Sequence, residues 1–97
     1  MAIRGISDRT LRRLFRHGDT RRLRPEHARR LRVILNALDS SDSLRALAAP
    51  TYRLHRLKGN RQGEWSVRVG GRWCVTFRTD GSNVWVAKYD NYHRGHS

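Results

Sequence analysis

The stretch Glu64-Trp-Ser-Val-Arg-Val-Gly-Gly-Arg-Trp-Cys-Val-Thr-Phe-Arg78 decides the fold. Apolar and polar residues alternate on both sides of Gly70-Gly71, the period-two signature of half-buried strands. Trp65, Val67 and Val69 share one face of the first run, and Trp73, Val75 and Phe77 share one face of the second. Parity then constrains the turn. A two-residue loop pairs Val69 with Arg72 and Val67 with Cys74, which splits the apolar residues between both faces. A three-residue loop, Gly70-Gly71-Arg72, pairs Val69 with Trp73 and Val67 with Val75 and gathers every apolar side chain on one side. The expectation is an odd loop with a glycine in the left-handed conformation. The opposite face then carries Glu64, Ser66, Arg68, Cys74, Thr76 and Arg78.

Downstream, Asp80-Gly81-Ser82-Asn83 is the next turn, and a last strand runs from about Val84 to Asp90. Its larger residues put Trp85, Ala87 and Tyr89 toward the core and Lys88 on the polar face. Upstream, Tyr52 to Leu57 reads as a short strand and Lys58 to Gly63 as a polar loop. Before Pro50 the period is helical. Ser7 or Asp8 caps a first helix whose Leu11, Leu14 and Phe15 share a face, and Gly18 ends it. Pro25 opens a second helix with the stripe Ala28, Leu31, Ile34, Leu35 and Leu38, and Arg29, Arg30 and Arg32 lie mainly off that stripe. Ser40-Ser41-Asp42-Ser43 breaks it, and Leu44 to Ala48 forms a short turn. The class that follows is α+β: a single domain over residues 1–97, with two N-terminal helices packed on one face of a small antiparallel sheet. The other face is open and basic.

Charge narrows the function. There are 21 Lys and Arg against 8 Asp and Glu, a formal net charge of +13, and every cation in that count except Lys58 and Lys88 is an arginine. Arginine grips phosphate oxygens with a planar fork of donors, and an excess of this size exceeds what solubility requires. Nucleic acid is the partner this field favours. A helix-turn-helix is excluded by the long basic loop from His17 to Arg24. One cysteine, Cys74, rules out an internal disulfide framework, and His93 and His96 have no Cys or carboxylate cluster to complete a zinc set. No cofactor and no metal are expected. The start of the chain has no apolar run of signal-peptide length and no stretch approaches a membrane span, so a cytoplasmic protein is expected.

His55 sits in the first strand of the second half, Lys58 follows it, and Asn91, Tyr92 and His93 end the last strand. If those strands meet at one end of the sheet, His55 and His93 face one phosphate from two sides. RNA suits such a pair. A base removes the 2′-hydroxyl proton, the oxygen attacks the adjacent phosphate, and an acid protonates the departing 5′-oxygen. Histidine's ordinary pKa fits both roles, and Lys58, Arg68, Arg72 and Arg78 are the cations at hand to hold the phosphate.

Tyr52-Arg-Leu-His-Arg-Leu-Lys-Gly59, Trp65-Ser-Val-Arg-Val69 and Tyr89-Asp-Asn-Tyr-His93 together resemble the HigB family of plasmid-maintenance toxins, which belong to the RelE-like toxins. Leu14-Phe15, Gly18-Asp19-Thr20 and Leu35-Asn36-Ala37-Leu38-Asp39 match as well, so the resemblance covers nearly the whole chain. It implies a ribosome-dependent endoribonuclease that cuts mRNA. It also implies a HigA-like helix-turn-helix antitoxin through which the pair reaches operator DNA. His55, Lys58, Tyr92 and His93 fall on family active-site positions. Two departures stand out. Asn91 replaces the usual Asp before Tyr-His, and Trp73-Cys74 replaces the usual Trp-Arg. A missing charge-assisted phosphate contact costs about 2–4 kcal/mol of transition-state stabilisation. These departures keep two alternatives open: an attenuated or non-catalytic RNA- or ribosome-binding module on the same fold, and a co-repressor acting mainly with its antitoxin.

Overall fold

A computed structural model describes residues 1–59 and 63–91 of the chain. Along it run β1 (Ala2–Ile6), α1 (Arg9–His17), α2 (Pro25–Ser40), two 3-10 turns (Leu44–Leu47 and Pro50–Tyr52), β2 (His55–Arg56), β3 (Glu64–Gly70), β4 (Trp73–Asp80) and β5 (Asn83–Asn91). The strands form one sheet in the order β1-β5-β4-β3-β2. The α+β class holds, with one correction: the sheet is mixed, because β1 runs parallel to β5. A register shift between Ile3 and Gly5 breaks the alternation of β1, and so short a segment shows no period of its own.

The helices begin and end as their sequences dictate. The Asp8 carboxylate accepts from Leu11 N at 3.0 Å and caps α1. Gly18 closes α1 in the left-handed conformation (φ 65°), and its N–H donates to the Leu14 carbonyl at 2.9 Å. Pro25 opens α2, where a missing N–H costs nothing. Leu11, Leu14, Leu31, Ile34, Leu35 and Leu38 pack on Val67, Val69, Val75, Phe77, Val84 and Val86 of the sheet. Each such fully buried side chain contributes about 1.5–3 kcal/mol. Phe15 departs from the expected stripe and stays partly exposed.

The β3–β4 pairing obeys the parity argument. Trp65 faces Phe77 and Val67 faces Val75, but Gly70, and not Val69, stands opposite Trp73. The odd residue is therefore a bulge in β3 instead of a third loop residue. Gly71 supplies the left-handed conformation at φ 55°.

Two strand readings are corrected. Val84 and Val86 are buried, while Trp85 lies on the open face with the Arg78 guanidinium 5.0 Å from its ring centre. Val86 pairs with Phe77 and Lys88 with Thr76, leaving Ala87 as an extra residue. That bulge reverses the parity of β5, so only Tyr89 of the expected trio Trp85, Ala87 and Tyr89 packs on the core. Lys88 joins the polar face as expected. The strand expected from Tyr52 to Leu57 shrinks to His55–Arg56. Pro50 starts a tight turn instead, and Arg53 N donates to the Pro50 carbonyl at 3.1 Å.

Candidate functional site

The pairing registers set three rows across the sheet face turned away from the helices. They are Glu64–Arg78–Trp85, His55–Ser66–Thr76–Lys88 and Arg68–Cys74–Asp90. Four of the basic side chains are thus brought to one surface: His55, Arg68, Arg78 and Lys88. Ser66 and Thr76, at its centre, are buried, and Thr76 Oγ1 has no hydrogen-bond partner among the described residues. An orphaned buried hydroxyl is costly.

His55 is exposed at the edge of this surface, and its Nδ1 lies 2.8 Å from the Arg53 carbonyl oxygen. A carbonyl only accepts, so Nδ1 is the ring nitrogen that carries the proton, and Nε2 has no hydrogen-bond partner among the described residues. Arg53 adopts a left-handed backbone (φ 45°, ψ 46°) immediately before this contact. That conformation costs a non-glycine residue about 1–2 kcal/mol and persists only where its surroundings hold it. Lys58 follows β2 and lines a cleft of about 540 Å³ with Arg56, Leu57, Gly59 and Gly63. Arg68 folds toward the β3–β4 turn, where its Nε donates to the Gly71 carbonyl at 3.1 Å.

The remaining expected residues lie elsewhere. Asn91 pairs with Trp73 at the end of β5, and Arg72 sits in the β3–β4 turn. Both line a second cleft, of about 550 Å³, with Arg24, His27, Arg30 and Gly70. β3 and β4 separate β2 from β5, so these strands are not neighbours. Three strand spacings set His55 about 14 Å from the line of β5. Tyr92 and His93 lie outside the described residues.

His27 was not among the residues the sequence reading singled out. It is buried between α2 and the sheet, and its Nδ1 shares a 2.6 Å hydrogen bond with the Tyr89 hydroxyl. The Trp73 ring meets it edge-on at 5.9 Å. Burial, reinforced by the Arg24 charge, lowers its pKa below the ordinary imidazole range. Burial likewise raises Tyr89. Its spacing was a usable signal, because His27 stands one helical turn before Leu31 on the buried stripe. Among the described residues no three His, Cys, Asp or Glu side chains gather as a metal site, and no helix is long and apolar enough to cross a membrane.

Residues 4–93 match the family described as RelE-like toxin of type II toxin-antitoxin system HigB. The chain belongs to this family. It is therefore a toxin whose partner is an antitoxin. The Proteus vulgaris protein named Endoribonuclease HigB is 31% identical over 91 residues, a span that covers 94% of this chain and 99% of that one. The fold is shared with the YoeB/ParE toxin from Agrobacterium tumefaciens (TM-score 0.63, 17% identity, 96% of this chain and 100% of that one). It is also shared with the YoeB-YefM complex from Staphylococcus aureus (TM-score 0.61, 16% identity, 92% of this chain and 95% of that one).

Proposed function

We propose that this toxin is an endoribonuclease that cuts mRNA on the ribosome by using the RNA's own 2′-hydroxyl as nucleophile. The observation that carries this reading is His55, whose Nδ1 is committed to the Arg53 carbonyl while Nε2, without a hydrogen-bond partner among the described residues, lies beside a basic, open sheet face. The family relationship and the activity named for the Proteus vulgaris relative support it.

In the reaction a base removes the 2′-hydroxyl proton and the 2′-oxygen bonds to phosphorus. The P–O5′ bond breaks, and an acid protonates the departing oxygen. The products are a 2′,3′-cyclic phosphate and a 5′-hydroxyl end. His55 is one of the two proton-transfer groups and His93 the other, with Asn91 and Tyr92 orienting His93 or the substrate. Lys58, Arg68, Arg72 and Arg78 hold the phosphate backbone and stabilise the charge that builds on it. A HigA-like antitoxin holds the toxin inactive in the cytoplasm and carries it to operator DNA.

The test maps mRNA 5′ ends after a brief pulse of expression. New 5′-hydroxyl ends within translated codons, absent when initiation is blocked, are expected. Growth arrest with no new ends overturns the reading in favour of a non-catalytic ribosome-binding module. Cys74 is the observation that favours this second reading, because it occupies the centre of the row Arg68–Cys74–Asp90, where the usual arginine is missing.

A further inference from the structure

We infer that Arg30 is a positioning residue for His55: its guanidinium ties the Pro50–Tyr52 turn to β3 and so fixes which nitrogen of His55 faces the substrate. This rests on the reading of His55 as a proton-transfer group. Arg30 lies on α2 and takes no part in the open face, yet it makes several contacts at once. Its Nη2 donates to the Thr51 carbonyl at 2.7 Å and to the Thr51 hydroxyl at 3.2 Å. Its Nε donates to the Arg68 carbonyl at 3.3 Å, and its guanidinium carbon lies 4.2 Å from the centre of the Tyr52 ring. One planar group thereby joins β3, the strand on which His55 pairs, to the turn that leads into β2.

β2 needs this support. Among the described residues it pairs through His55–Ser66 and Arg56–Trp65, with one more bond from Leu57 N to the Glu64 carbonyl at 2.8 Å. A ladder this short does not set the path of the preceding residues. The turn does. Tyr52 N donates to the Ala49 carbonyl and Arg53 N to the Pro50 carbonyl, and Arg53 then enters its left-handed conformation with its carbonyl oxygen against His55 Nδ1. Release of Thr51 and Tyr52 frees Arg53 to leave that unfavourable conformation. His55 Nδ1 then loses the fixed carbonyl acceptor that selects its tautomer, and Nε2 is no longer held as the acceptor.

The experiment compares wild type, Arg30→Lys and Arg30→Ala. It combines long-range ¹H–¹⁵N spectra of the neutral imidazoles with single-turnover cleavage of ribosome-bound mRNA. Lysine keeps the charge over Tyr52 but cannot span Thr51 and Arg68 with one rigid fork. Wild type is expected to show His55 protonated at Nδ1. Both variants shift toward Nε2 protonation, with turnover falling about 10- to 100-fold in Arg30→Ala and less in Arg30→Lys. The apparent KM stays within about twofold, as for a group that acts on the reacting geometry and not on binding. Ile34→Val, a mild core deletion, lowers stability without moving the His55 signal. Should Arg30→Ala fail to fold, Arg30→Lys carries the comparison.

Full cleavage by His55→Ala overturns the reading of the site itself. Impaired His55→Ala beside Arg30 variants that keep wild-type spectra and turnover overturns this inference alone.

Discussion

His27 and His55 lie on opposite faces of one sheet, and their surroundings give them opposite characters. His27 is pinned between Tyr89, Trp73 and α2, and burial disfavours its charged form. His55 stands in solvent, keeps one nitrogen bonded to a backbone carbonyl and leaves the other exposed. The chemistry of the ring is the same in both. Burial makes it a packing element on the helix-covered face, and a backbone acceptor orients it on the open one.

Removing each ring in turn separates the two environments. His55→Ala is expected to lower cleavage of ribosome-bound mRNA about 10²- to 10⁴-fold with an unchanged unfolding midpoint. His27→Ala should do the reverse, with cleavage within about threefold of wild type at low temperature but about 2–4 kcal/mol less stability in urea unfolding. Comparable cleavage losses in both variants would erase the distinction. Cys74→Arg adds a cation to the open face and is expected to raise single-turnover cleavage about 10- to 100-fold.

On the covered face, a Cβ at Gly70 falls 3.0 Å from His27 Nε2. His27 cannot retreat from Tyr89 without losing its bond, so Gly70→Ala should cost about 1–2 kcal/mol in denaturation. The pH dependence has a definite sign. The folded pKa of His27 lies below the unfolded value, so the unfolded chain takes up the proton first as pH falls. Stability is complete above the ordinary imidazole range and declines as pH drops through it toward the folded value. In His27→Gln, unfolding curves measured across that window should lose this part of the slope. The smallest effect belongs to Thr76, where Thr76→Val removes an orphaned hydroxyl. Thermal stability is expected to hold or rise by up to about 1 kcal/mol, and a simultaneous fall in RNA affinity identifies the hydroxyl as a substrate contact.

Hydrophobic parity made the centre of this fold legible. Val67 and Val75 share a face because a one-residue slip drives the valines into water. The same rule failed in β5, where Ala87 is inserted as a bulge and the apolar face changes sides halfway along. Period-two reasoning assumes an unbroken strand, and Trp85 was large enough to suggest the wrong one. β1 was invisible because Ala2-Ile-Arg-Gly-Ile6 carries too little pattern, and it owes its structure to a partner far along the chain. The candidate site shows in its residue types more than in its geometry. His55 and Lys58 could be singled out as candidates from the sequence. The left-handed Arg53 that orients His55 could not, because nothing in Thr51-Tyr-Arg-Leu54 announces a positive φ at an arginine.

The place of β1 has a consequence for synthesis. It is the first strand to be made, yet its only sheet neighbour is β5, the last of the five, and the Ile3–Val84 and Ile6–Val86 pairs span most of the chain. Contacts so distant along the chain are the slowest to form. The nascent polypeptide therefore holds an unpaired N-terminal segment until β5 has been released from the exit tunnel.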